Sequence, residues 1–144
     1  MSPKLSTGFR GPFAALLILT LLLIGVPAPA IADRVPPLGK LVEQANTGDP
    51  WAQLNLGAAY DNGAAGLAID PVQAVRWYRR AAEAGLAEAQ FNLAHCLATG
   101  NGTARRDDEA LQWMLRAAEQ GLVSAQYLAG VMLAEGIGTP VDRA

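Results

Sequence analysis

WYRRAAEAGLAEAQFNLAHCLATG, residues 77 to 100, returns as WMLRAAEQGLVSAQYLAGVMLAEG, residues 113 to 136. The period, from Trp77 to Trp113, is 36 residues. Self-similarity on this scale marks a stack of supersecondary units, none of which buries its apolar face without a neighbour. An earlier copy aligns as well: Ala52-Gln53 recurs as Ala89-Gln90 and Ala125-Gln126, and Gly63 as Gly100 and Gly136. That first spacing is 37 residues, and the extra residue falls in the glycine-rich DNGAAGLAIDP, residues 61 to 71, where a loop absorbs it. Function is therefore expected on an assembled surface, not in a catalytic pocket.

Each unit reads as two helices. The first opens at Asp49-Pro50, where an aspartate caps free backbone N–H groups and proline at the first helical position sacrifices no needed donor. Ala52, Leu56 and Tyr60 then recur at i, i+4 and i+8, with Ala89, Leu93, Leu97 and Ala125, Ala129, Leu133 as equivalents. That spacing places them on one face, the expected buried stripe. Gly57, Ala94 and Gly130 keep a second position small, as close approach of a neighbouring helix requires. The second helix starts at Asp70-Pro71, and in the next copy at Asp107-Asp108-Glu109, whose carboxylates suit the positive end of a helix dipole and are expected to cap it. Its inner stripe is Ala74, Trp77, Ala81, repeated as Ala110, Trp113, Ala117, and it stops at Gly85 or Gly121, where a left-handed cap favours glycine. Trp77 and Trp113 are expected to be structural, because identical positions at repeat spacing imply identical packing. Arg76, Arg79, Arg80 and Glu83 fall outside the stripe and read as solvated surface.

The pattern A-x-x-x-L-G-x-x-Y-x-x-G, then D-x-x-x-A-x-x-W and A-A-E-x-G, is carried here by AQLNLGAAYDNG, Asp70, Ala74, Trp77 and residues 81 to 85. It resembles the SEL-like repeat, a cousin of the tetratricopeptide repeat, over residues 49 to 142. The resemblance implies an all-α fold, a short right-handed α-solenoid of antiparallel helix pairs. It also implies adaptor and scaffold roles in protein complexes, with no reaction and no cofactor. About six helices are expected. LGKLVEQANTG, residues 38 to 48, aligns with VRWYRRAAEAG, residues 75 to 85, and reads as a capping half-unit. The organisation is then a leader at 1–32, a linker and capping helix at 33–48, repeats at 49–85 and 86–121, and an incomplete third repeat at 122–144.

The leader has Lys4 and Arg10 ahead of the apolar run FAALLILTLLLIGV, residues 13 to 26, which is short for a bilayer span and fits a secretory signal. Ala30 and Ala32 supply the small residues of a cleavage site before Asp33, with Ala28-Pro29-Ala30 as the second choice. The alternative is an uncleaved anchor that tethers the same domain to the inner membrane. With the family resemblance, the leader implies a periplasmic or secreted bacterial protein without stable membrane insertion once the signal is removed. The 112 residues that follow suffice for one small domain and carry nine basic against thirteen acidic residues, a net charge of −4. Dispersed arginines on an acidic domain leave no electrostatic footprint for nucleic acid. Cys96, the sole cysteine, forms no intrachain disulfide, so stability must come from packing.

Positions that vary between repeats are the candidates for binding a protein or peptide partner. On the expected concave face these are Asn55, Ala58, Asn62; Asn92, His95, Thr99; and Leu128, Val131, Glu135. The third first-helix is strongly apolar where solenoid ends need a polar outer face. An exposed edge is expected around Tyr127, Leu128, Val131 and Met132. It implies a homodimer, capture of a partner helix, or a chain shortened from a longer array. Trp51, whose counterparts are Glu88 and Ser124, either fastens the capping helix or anchors an interface. Adjacent His95 and Cys96 point about 100° apart on a helix and do not form a nucleophile–base pair. The alternative function is an envelope enzyme acting on cell-wall or β-lactam substrates, an activity the resemblance attaches to cysteine-rich relatives with paired cysteines. A regulatory subunit of a membrane sensor or secretion complex is a further reading of the interaction role.

Overall fold

The computed structural model describes residues 37–139, which form six α-helices, one 3₁₀ turn and no strand among the described residues. The leader and cleavage site expected within residues 1–33 lie outside the described residues. In chain order the helices are α1 (Leu38–Asn46), α2 (Pro50–Asn62), α3 (Pro71–Glu83), α4 (Ala87–Thr99), α5 (Asp107–Glu119) and α6 (Val123–Ala134), with the 3₁₀ turn Ala64–Gly66 after α2. Each helix packs on its neighbours in sequence, the arrangement of an all-α solenoid.

Local chemistry sets the boundaries. Asp49 Oδ1 accepts from the backbone N–H of Trp51 (2.9 Å) and Ala52 (3.2 Å) at the start of α2, and Asp70 Oδ1 accepts from Gln73 N–H (3.1 Å) at the start of α3. The α5 start differs from the expected cap. Arg106 occupies the capping position without a side-chain bond, and the three acids fall in the first helical turn. Asp107 is instead gripped by Arg105 through two bonds of 2.8 and 2.9 Å, while Glu109 pairs with Arg79 at 2.7 Å and Arg106 at 2.8 Å. Arg79 is therefore half-buried in an ion pair between α3 and α5 rather than solvated surface.

The second helices end in one repeated motif. Gly85 donates to Ala82 O and Leu86 to Ala81 O, and Gly121 and Leu122 do the same to Ala118 O and Ala117 O. Gly85 and Gly121 sit at φ +94° and +90°, where any side chain is strained. The same end carbonyl takes a second bond across the repeat boundary. Gln53 Nε2 donates to Ala45 O at 3.1 Å, Gln90 Nε2 to Ala82 O at 3.2 Å and Gln126 Nε2 to Ala118 O at 3.2 Å. Each glutamine of the recurring Ala-Gln pair thus pins the first turn of one unit to the last turn of the unit before it.

The stripes pack largely as the spacing predicts. Ala89, Leu93 and Leu97 are fully buried, as are Ala74, Ala81, Ala110, Ala117 and Ala125. Ala52 and Leu56 form a smaller cluster with Leu41 and Ala45 of the capping helix α1. Leu133 departs from its stripe and is 48% exposed. The second helices also bury more than the alanine–tryptophan stripe: Tyr78 and its equivalent Met114 lie in the core, whereas Trp77 is half-buried against the α1 cluster. Trp113 is buried, and Arg80 and Arg116 stack over the two indoles at 4.5 and 4.6 Å. Gly57 is small because Tyr78 lies on it, with Cδ1 only 2.7 Å from where a Cβ would stand. The connecting loops interlock with equal tightness. A Cβ on Gly102 would stand 2.1 Å from Pro71 O, and one on Gly138 would stand 2.2 Å from Asp107 O. Each of these glycines seats its loop on the start of the preceding second helix.

One joint is incomplete. Gln90 Oε1 accepts from Gln120 Nε2 at 2.8 Å, but the buried Gln53 Oε1 has no protein partner, because the residue in the place of Gln120 is Ala84. Ala84→Gln is expected to supply the missing donor and stabilise the fold by about 1 kcal/mol, raising Tm by roughly 4 °C in a thermal melt.

Candidate partner-binding surface

The surface is carried by the first helices of the units, α2, α4 and α6, whose cores hold one face and leave another displayed. Asn55 and Asn62 on α2, His95 and Thr99 on α4, and Glu135 just past α6 are exposed. Ala58, Asn92, Leu128 and Val131 are half-buried, and Ala58 and Leu128 pack against the core cluster. The Thr99 hydroxyl donates to His95 O at 2.8 Å, so its side chain is turned onto its own helix. The displayed rows are polar on α2 and α4 and part apolar on α6.

The expected C-terminal edge is placed differently. Met132 is 7% exposed and belongs to the core, and Leu128 packs against that core. Tyr127 is 71% exposed, and its exposed apolar companions are Val123 (75%) and Leu133 (48%). Variation between repeats points to Leu128 and Val131 on the displayed row. The open apolar face belongs instead to the side of the helix that, in the other units, the next helix covers. Trp51 is 54% exposed and lies outside the buried cluster that α1 forms with α2.

A buried polar group that the repeat pattern does not require lies among α2, α3 and α4. Asp61 is half-buried and accepts from Asn101 Nδ2 at 3.1 Å. Burial, then the Asp61 charge, raises the Tyr78 phenol well above its ordinary value. Burial, then Asp61, also pushes the Cys96 thiol up to about 11. Cys96 therefore stays protonated at neutral pH and is a poor nucleophile. His95 is exposed on the helix surface while Cys96 is buried, so the two face different surroundings. The sequence signal for this group is that Asp61, a charge, stands where the other copies have alanine: Ala98, which packs against the core, and Ala134.

The model of the Sel1 repeat matches residues 52–86, 87–122 and 123–144. The chain belongs to the Sel1-repeat family. Among solved structures, a Sel1 repeat protein from Oxalobacter formigenes is 40% identical, covers 70% of this chain and 75% of its own, and superposes with a TM-score of 0.64. The protective antigen c5321 of uropathogenic Escherichia coli strains, which displays an SLR fold, is also 40% identical, with a TM-score of 0.66 over 68% of this chain. The chain spans about a fifth of that antigen, 21% of its length. No curated protein matches the chain. Sel1 repeats generally act as protein-interaction modules, and the geometry here agrees in kind: a fixed core with variable rows displayed on one set of helices.

Proposed function

We propose that this Sel1-repeat protein is an exported, non-catalytic adaptor or regulatory subunit that holds a peptide or helix of a protein partner on the rows displayed by α2, α4 and α6. One observation carries the reading. The buried positions Ala52, Ala89 and Ala125 are identical between units, whereas the aligned and exposed Asn62, Thr99 and Glu135 differ in every unit. A stack that holds its packing constant and varies what it shows is built for recognition. The polar first and second rows and the part-apolar third suit a short amphipathic segment. No helix among the described residues is long and apolar enough to cross a membrane, and no observation favours the envelope-enzyme alternative. The leader supports a periplasmic or secreted location.

Photo-cross-linking tests the surface. A photoreactive residue at His95 or Asn55 is expected to give a discrete protein adduct in producing cells, and one at Arg76 or Gln112, exposed on the second helices, is expected to give none. Equal adducts from both faces, or none from either, contradict the reading. Export has its own test. The mass of the protein recovered outside the cytoplasm is expected to match a chain that begins at Asp33; an intact leader on that protein would support the anchored form instead.

A further inference from the structure

Two of the three indoles lie under an arginine of the chain itself. Arg80 stands 4.5 Å over the Trp77 ring and Arg116 4.6 Å over the Trp113 ring, both on the second helices. Trp51 is 54% exposed at the start of α2, and among the described residues no cation covers it. Its counterparts are Glu88 and Ser124, so the packing of the repeat does not call for an indole there. Glu88 is half-buried and Ser124 exposed, so the position is displayed in all three units.

That position opens the displayed rows. Trp51, Asn55, Ala58 and Asn62 follow i, i+4, i+7 and i+11 along α2, and Glu88, Asn92, His95 and Thr99 do the same along α4, so each set shares one side of its helix. Charge is divided between the two kinds of helix. α2, α4 and α6 contain no lysine or arginine, whereas the six arginines among the described residues lie on α3, on α5 or in the loop that enters α5. There Arg79 and Arg106 are matched by Glu109, and Arg105 by Asp107. Glu88 makes no ion pair among the described residues. The exposed Asp49, whose Oδ1 accepts from the Trp51 N–H at 2.9 Å, adds a second carboxylate at the head of the first row.

We infer that Trp51 and Glu88 together receive an arginine of the partner segment, its guanidinium laid on the exposed indole and its N–H edge turned to the carboxylate. This rests on the adaptor reading and adds the chemistry of one contact to it. A guanidinium engages an indole through its plane and a carboxylate through its fork of donors, so one side chain satisfies both groups at once. The stack of arginine on indole is the one this chain already makes twice within itself. A cation arriving at Trp51 meets no positive side chain on the three displayed helices, and an exposed tryptophan is the residue type that most often anchors an interface. An acidic side chain in the same place would face Glu88 and Asp49 with no counter-charge.

A photoreactive residue at Asn55, one turn beyond Trp51, tests the contact in producing cells, with the linked segment read by mass spectrometry and each variant checked by a helical circular-dichroism melt. Trp51 and Glu88 lie outside the buried core, so their variants are expected to melt as the native protein does. Trp51→Ala and Glu88→Gln are each expected to lower the adduct yield roughly fivefold. Replacing one arginine of the linked segment by alanine is expected to lower it as far as Trp51→Ala does. Because a single guanidinium serves both groups, the double variant is expected to lose less than the product of the two single losses. Glu88→Arg is expected to remove the adduct, and Gln112→Arg, on the second helix α5, to leave it unchanged. A linked segment without such an arginine, an adduct that survives Glu88→Arg, or single losses that multiply overturns this inference and leaves the adaptor reading standing; no adduct from Asn55 contradicts both.

Discussion

The joint between units is one side-chain amide set against one helix-end carbonyl, and the rest of the fold depends on it. A second helix that ends in the left-handed glycine turn leaves its last carbonyls facing the start of the next helix. The glutamine of the Ala-Gln pair reaches back eight residues to claim one of them. At Gln53 and Gln90 the bond is buried, where an unmade hydrogen bond is costly, so it fixes the distance and rotation between consecutive helices. With that angle fixed, the fully buried alanines beside each joint allow the helices to approach closely, and the leucine stripe fills the space between them.

A stack joined this way is one-dimensional, and its two ends are therefore free to differ. At the start of the described stack, α1 exposes Gly39, Lys40, Glu43 and Asn46. The interior carries a local specialisation as well, with Asp61, Asn101 and the raised Tyr78 and Cys96 groups gathered between the first two units. Tyr78 serves both arrangements, since its ring covers Gly57 in the core while its phenol lies beside Asp61. The third unit repeats the buried core positions Ala125 and Ala129, while Gln126, Gly130 and Leu133 of the same helix are exposed.

Much of the fold was legible in the sequence, and the exceptions have a common cause. The period, the Asp49 and Asp70 caps, the capping half-unit and the buried alanines follow from spacing alone, because each is a local property of one helix or one turn. The run of acids at residues 107 to 109 read as a cap, since sequence does not show that Arg79, thirty residues before Glu109, stands across from it. Tyr78 went unnoticed as a core residue because the tryptophan beside it is the more visible repeat mark, and a repeat helix packs on two neighbours and not one. Met132 and Leu133 exchanged their expected roles for the same reason. Periodicity says which residues share a face; which face is covered depends on the helix that comes next.

The clearest single measurement is urea unfolding of Gln53→Ala, Gln90→Ala and Gln126→Ala side by side. Gln90 is buried and makes two hydrogen bonds through its amide, Gln53 is buried with one, and Gln126 makes its bond while exposed. The losses are expected in that order, with Gln90→Ala costing about 2 to 3 kcal/mol and Gln126→Ala less than about 0.5 kcal/mol. Equal losses at all three sites, or a loss at Gln126 as large as that at Gln90, would contradict the buried amide as the joint that sets the stack.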